Sequence, residues 1–177
     1  MTTLSIIRPA ADESAPYYHG YIAKVADEDL GQQLVGQLHE LEQLFQNVTD
    51  RAALARYAQG KWSIKEILGH LADTERIFTY RLLRIARGDT TPLPGYDENA
   101  YVPAGRFDDR PLPMLLAELR AVRLSTAALI EGLPEEAWAQ RGVANNQPIS
   151  ARALAFIIVG HTVHHLEVLR ERYGLGS

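Results

Sequence analysis

Three histidines carry the most specific chemistry in this sequence. His161 and His165 stand four apart in the run Ala153-Leu154-Ala155-Phe156-Ile157-Ile158-Val159-Gly160-His161-Thr162-Val163-His164-His165-Leu166. The first half of that run is apolar on every side, which marks a buried helix, and imidazoles that follow it are costly to bury without partners. Spacing of four residues puts both rings on one helical face, a turn apart, where they can share one metal ion. They continue the line of Leu154, Ile157 and Ile158, and Gly160 leaves room for a neighbouring element to approach closely. The same pair also fits two core histidines hydrogen-bonded to backbone or water. His70, at the flank of another helix's apolar stripe, would complete a three-histidine set with coordination positions left open, as catalytic sites have. Such a set suits one divalent ion per chain, Zn²⁺, Ni²⁺ or Fe²⁺.

Other titratable residues are weaker candidates. His164 lies about 60° around the helix from His161, so it sits beside the pair, against another helix or at the surface. His39 reads as a surface residue and His19 as solvent-exposed. Asp73 and Glu75 follow His70, Glu167 follows His165, and Asp97 and Glu98 fall in a long connection. Each would orient an imidazole or accept a proton in a catalytic role, or else cap a helix or carry surface charge. Asp73, Glu75 and Asp97 are the candidate catalytic residues.

Composition narrows the classes. The 177 residues suit one ordinary domain, with 46% apolar and 23% charged residues, the balance of a soluble globular protein. No cysteine is present, which removes disulfides, thiolate metal sites, iron–sulfur clusters and a cysteine nucleophile together. Net charge is −4 with no block of Lys and Arg, so nucleic acid is not an expected partner. No apolar run reaches transmembrane length, and the start MTTLSIIRPAADESAP lacks the pattern of a secretory signal. The expected compartment is the cytoplasm, without a membrane partner.

These residues need four helices to hold them. Residues 1–26, with Pro9, Pro16 and the cluster Tyr17, Tyr18 and Tyr21, read as an extended arm packed on the domain that follows over 27–177. The tyrosines either pin the arm or line a pocket mouth. From Asp27 or Asp29, Leu30, Leu34, Leu38, Leu41 and Phe45 recur at helical steps, which predicts a helix of about twenty residues closed by Val48-Thr49-Asp50. Ser63 and Glu66 have capping-box spacing, opening a second helix that runs to about Arg87, with Gly88 as its stop. Residues 89–111, broken by Pro92, Pro94, Gly95, Pro103, Gly105 and Pro111, read as a long crossover with one helical turn near Glu98–Val102. A third helix from Leu112 to Gly132 ends at Pro134; a turn at Asn145-Asn146-Gln147-Pro148 and a cap at Ser150 open the last helix, to Tyr173. With no strand signal, the fold class is all-α, a four-helix bundle.

The run Gly60-Lys61-Trp62-Ser63-Ile64-Lys65-Glu66-Ile67-Leu68-Gly69-His70-Leu71-Ala72-Asp73-Thr74-Glu75-Arg76 resembles the second-helix motif of the DinB/YfiT superfamily. Gly160-His161 through His165 is similar to that family's last helix, and Pro94-Gly95-Tyr96-Asp97-Glu98-Asn99-Ala100-Tyr101 to its crossover segment, in matching order from Tyr17 to Tyr173. The resemblance implies a four-helix bundle with one long crossover and a metal ion bound by His70, His161 and His165, with no ligand position missing. It also implies a homodimer. Members of the family include transferases of low-molecular-weight thiols (bacillithiol, mycothiol, glutathione), a mycothiol-dependent isomerase and metal-dependent hydrolases.

Three functions follow as expectations. The first is a metal-dependent transferase that joins a bacillithiol-type thiol to electrophilic small molecules, the open metal position lowering the thiol pKa. The second is a hydrolase that activates water on the same three ligands. The third is a non-catalytic metal- or small-molecule-binding stress protein, with a closed site.

Overall fold

The computed structural model describes residues 6–176. Residues 1–5, the head of the expected arm and of the segment that lacks a signal pattern, lie outside the described residues, as does Ser177. The bundle comprises α2 (Leu30–Phe45), α3 (Ile64–Ala86), α5 (Leu112–Glu131) and α6 (Ala151–Tyr173), with the short helices α1 (His19–Ala23) and α4 (Glu98–Gly105). Both α5 and α6 pack on α2 and on α3, and α1 lies on α6.

Local signals set the helix ends. Asp29 accepts from the Gln32 amide and starts α2, which at 16 residues is shorter than expected because the chain turns immediately after Phe45. Ser63 Oγ accepts from the Glu66 amide at 3.0 Å while the Glu66 carboxylate accepts from the Ser63 amide at 2.7 Å, completing the capping box of α3. Ser150 Oγ accepts from the Ala153 amide at 3.0 Å and opens α6. Gly88 (φ +78°) and Gly174 (φ +68°) follow α3 and α6 in the left-handed conformation that ends helices.

Four expectations need correction. The arm is not extended: its described part makes two 3₁₀ turns, Ala11–Glu13 and Pro16–Tyr18, and then α1. Burial explains it, because Glu13 is enclosed and accepts from Arg152 Nε at 2.6 Å, tying the segment to the start of α6. His19 is half-buried, its ring within 3.1 Å of the Ala11 carbonyl. Strands are present, as a hairpin of β1 (Arg141–Ala144) and β2 (Gln147–Ser150) turned by Asn145 and Asn146 at φ +51° and +60°. Asparagine tolerates that conformation, and four-residue strands are too short to show alternation. The crossover helix is longer than the single turn expected, since Pro103 falls near its end and removes only one donor. Leu93 in the crossover pairs with the hairpin, its amide donating to Val143 O (2.9 Å) and its carbonyl accepting from the Asn145 amide (3.0 Å).

The apolar interior falls into two clusters. One surrounds Leu34, Leu82, Ile130 and Leu154, and the other Leu41, Leu68, Leu115 and Leu169. Between them all four long helices present buried polar groups: Gln37, His70, Thr74 and Glu75, Arg123 and Thr126, and His161, Thr162 and His165. Arg123, 1% exposed, is the hub of this layer. It donates to Glu75 (2.8–3.0 Å), to Thr162 Oγ1 (2.6 Å) and to Gln37 Oε1, and Gln37 donates onward to the Val159 carbonyl at 3.0 Å. One guanidinium thus joins α2, α3, α5 and α6. Arg123→Met leaves the Glu75 carboxylate buried without its counter-ion, a loss of about 3–5 kcal/mol. Urea unfolding should show that loss, and the double variant Arg123→Met/Glu75→Leu should recover most of it; a double variant no more stable than the single one would contradict the pairing.

Candidate metal centre

His70 projects from α3, and His161 and His165 from α6, into the junction of the two apolar clusters. Glycine precedes a ligand candidate on each helix, and both glycines are spaces rather than hinges. A Cβ on Gly160 would lie 1.9 Å from the Tyr21 carbonyl oxygen, so the missing side chain lets α1 lie directly on α6. A Cβ on Gly69 would lie 2.3 Å from the Phe107 ring. The close approach at Gly160 brings the Tyr21 ring edge-on to His161 at 5.4 Å and 5.5 Å from the His164 ring.

The Nε2 atoms of His70 and His165 each lie 3.1 Å from Nε2 of His161, and the three ligand atoms lie within 4.8 Å of one another. Burial is the largest cause in lowering all three ring pKa values, with the neighbouring imidazoles adding to it: His70 falls to about 4, His161 and His165 well below their usual value. The rings are therefore neutral at pH 7. A neutral imidazole nitrogen carries one proton or one lone pair, so His161 Nε2 cannot fully satisfy two ring-nitrogen neighbours. A single cation accepting three lone pairs resolves the conflict. Two nitrogens on one tetrahedral zinc ion are separated by about 3.3 Å at ordinary bond lengths, close to the 3.1 Å found. With its Nε2 lone pair on such an ion, His70 would carry its proton on Nδ1, which lies 3.3 Å from Thr74 Oγ1, and Thr74 in turn bonds Tyr96 Oη at 2.8 Å. That contact fixes the ring orientation. Among the described residues, His165 Nδ1 is buried without a hydrogen-bond partner. The residues fit a divalent ion held by His70, His161 and His165.

A family model of the DinB superfamily matches residues 33–169. The chain belongs to the DinB superfamily. It is also similar to the solved structure of YfiT from Bacillus subtilis, described as a probable metal-dependent hydrolase with an unusual four-helix bundle topology. The TM-score is 0.71 at 21% identity, over 96% of this chain and 95% of that one. No curated protein matches the sequence. No helix among the described residues is long and apolar enough to cross a membrane.

In this DinB-superfamily chain the three imidazoles open onto a cavity of about 400 Å³. Tyr17, Tyr18 and Tyr21 line it, so the tyrosines both hold the N-terminal segment and shape the pocket. Trp62 packs its ring 4.7 Å from that of His70. A second hollow of about 280 Å³ shares Trp62, His164 and His165 with the first. His164 is half-buried, its pKa lowered by burial and then by Lys24, and it faces both spaces.

The candidate carboxylates lie elsewhere. Asp73 pairs with Arg76 at 3.3 Å, and burial raises its pKa. Glu75 is bound by Arg123, and Asp97 is exposed and caps α4, accepting from the Asn99 amide at 2.9 Å. Glu167 pairs with Lys24. Of the acidic residues singled out in the sequence, Glu98 alone lines the cavity. Thr74, Phe78, Arg81, Tyr96 and Asn145 also line it and were not anticipated. Thr74 and Arg81 were findable, four and eleven residues beyond His70 on one helical line; Asn145 depends on the hairpin.

Because the folded histidines resist protonation, the unfolded chain binds more protons once pH falls below its ordinary histidine pKa of about 6.5. Metal-free protein should therefore lose stability as pH falls below about 6.5, the His70 contribution down to about 4 and those of His161 and His165 further still, by up to about 1.4 kcal/mol per pH unit for each of these three histidines. Urea titrations across this range check it; a pH-independent midpoint would contradict neutral buried imidazoles.

Proposed function

We propose that the protein is a metal-dependent enzyme that transfers a low-molecular-weight thiol, of the bacillithiol type, to an electrophilic small molecule. The observation that carries this reading is three neutral imidazole nitrogens converging at the floor of a cavity. A divalent ion there, Zn²⁺, Ni²⁺ or Fe²⁺, would supply the positive charge that favours a deprotonated thiol at neutral pH. His70, His161 and His165 would hold that charge in place, with Thr74 keeping His70 aligned. Tyr18, Tyr21, Phe78 and Tyr96 provide an aromatic wall that limits water and packs the body of the acceptor. The chain has no cysteine, so the reacting sulfur comes from the thiol. In transfer, that sulfur bonds to the electrophilic carbon, the leaving group departs and the thiol proton passes to solvent.

Hydrolysis is the second reading, and Glu98 on the cavity wall favours it as an acceptor for a proton from water. The likeness to YfiT, itself described as a probable hydrolase, is compatible with it. The two readings separate on Glu98: hydrolysis requires it, whereas thiol transfer does not.

Metal-loaded protein mixed with bacillithiol, mycothiol or glutathione and monochlorobimane should form the fluorescent conjugate with release of chloride. His161→Ala should lower the rate at least 100-fold, to the uncatalysed level, and Glu98→Gln should leave it within about threefold of wild type, as expected for losing a metal ligand but not a proton acceptor. Conjugation never exceeding that of His161→Ala would remove the transferase reading.

A further inference from the structure

Arg81 lies eleven residues beyond His70 on α3. That is three turns and about 20° of rotation, so both residues share one helical line, about 16 Å apart along the axis. Helical side chains lean toward the N-terminus, which tilts the Arg81 side chain toward the histidines. The residue is 3% exposed and lines the same cavity as the three imidazoles. Its guanidinium stands 5.6 Å from the Phe78 ring centre and 5.8 Å from that of Tyr96, and one amino group donates to the Pro94 carbonyl at 2.8 Å. Tyr18 is a further polar neighbour.

Arg81 differs in its pairing from Arg123 of the polar layer. Both are buried, but Arg123 has a carboxylate and two further side-chain acceptors. Arg81 has no carboxylate within ion-pair distance among the described residues; Glu98, the other charged group lining the cavity, forms no ion pair with it. A buried charge without a counter-ion is strongly unfavourable, and a guanidinium offers five donors in a fork that matches a carboxylate. We propose that Arg81 is the anchor for the carboxylate of a small acid whose apolar body lies along Phe78 and Tyr96 and whose other end reaches the three histidines. That this acid is a substrate rests on the thiol-transfer reading; that the site takes carboxylates does not.

The test uses metal-free protein, so that no ion competes for the acid. Calorimetric titration with 4-phenylbutyrate and with the neutral 4-phenylbutanamide should show the acid bound at least tenfold more tightly by wild type. In Arg81→Gln the preference should fall to within twofold. Should that variant not fold by circular dichroism, the Arg81 Nε–H resonance of ¹⁵N-labelled wild type should shift with the acid and not with the amide. Equal binding of acid and amide, binding of neither, a preference that survives Arg81→Gln, or an unshifted resonance would each overturn the assignment. None of these outcomes touches the bimane assay, and a failed bimane assay leaves an acid preference at Arg81 standing, so the two readings fail separately.

Discussion

A polar layer crosses the bundle at the level where its two apolar clusters meet, and the remaining structure is arranged around keeping that layer paired. Arg123 is always charged, and at 1% exposure it cannot recover hydration. It therefore fixes Glu75, Gln37 and Thr162 around itself, which sets the register of α2, α3 and α6 against α5. Thr162 is the residue after His161, so the network that pairs the charge also holds the helix bearing two of the three imidazoles. The nearby Arg123 charge also helps keep His161 unprotonated. Structural and chemical parts of the layer are distinct: one side closes on itself around Arg123, and the other opens through the histidines to a cavity.

The second constraint is the close seat of α1. A glycine at 160 removes the atoms that would meet the Tyr21 backbone, and the segment anchored by Glu13 to Arg152 then lays its tyrosines over the histidines. On the far side the crossover is pinned to the hairpin through Leu93, which places Tyr96 against Thr74. The cavity walls therefore come from segments outside the four long helices, while its floor comes from α3 and α6.

Much of this was legible in the residues. Periodicity and caps at Asp29, Ser63 and Ser150 located the long helices, because amphipathic spacing and N-cap chemistry are local properties. His161 and His165 shared a face by spacing alone, and Gly160 signalled a close approach. The layer itself was not legible. Gln37, four residues before Leu41, and Arg123, four after Leu119, fall along the apolar stripes of their helices, and Glu75 reads as a candidate acid; that they meet one another depends on how four helices are aligned, which no single helix encodes. The hairpin was missed because its strands are four residues each, and the bend at Asn145-Asn146 reads as a turn with or without strands beside it. The role of Arg81 is not legible in the sequence, because a single arginine within a helix reads as a solvated charge.

We infer that His70, His161 and His165 turn their Nε2 lone pairs on one cation. Anomalous diffraction at the zinc edge, from crystals grown with one equivalent of Zn²⁺, distinguishes this arrangement from three metal-free imidazoles. One peak per chain should appear about 2.0–2.1 Å from each of the three Nε2 atoms. Absence of a peak there, or zinc bound at another group of side chains with the imidazoles still in mutual contact, would contradict it.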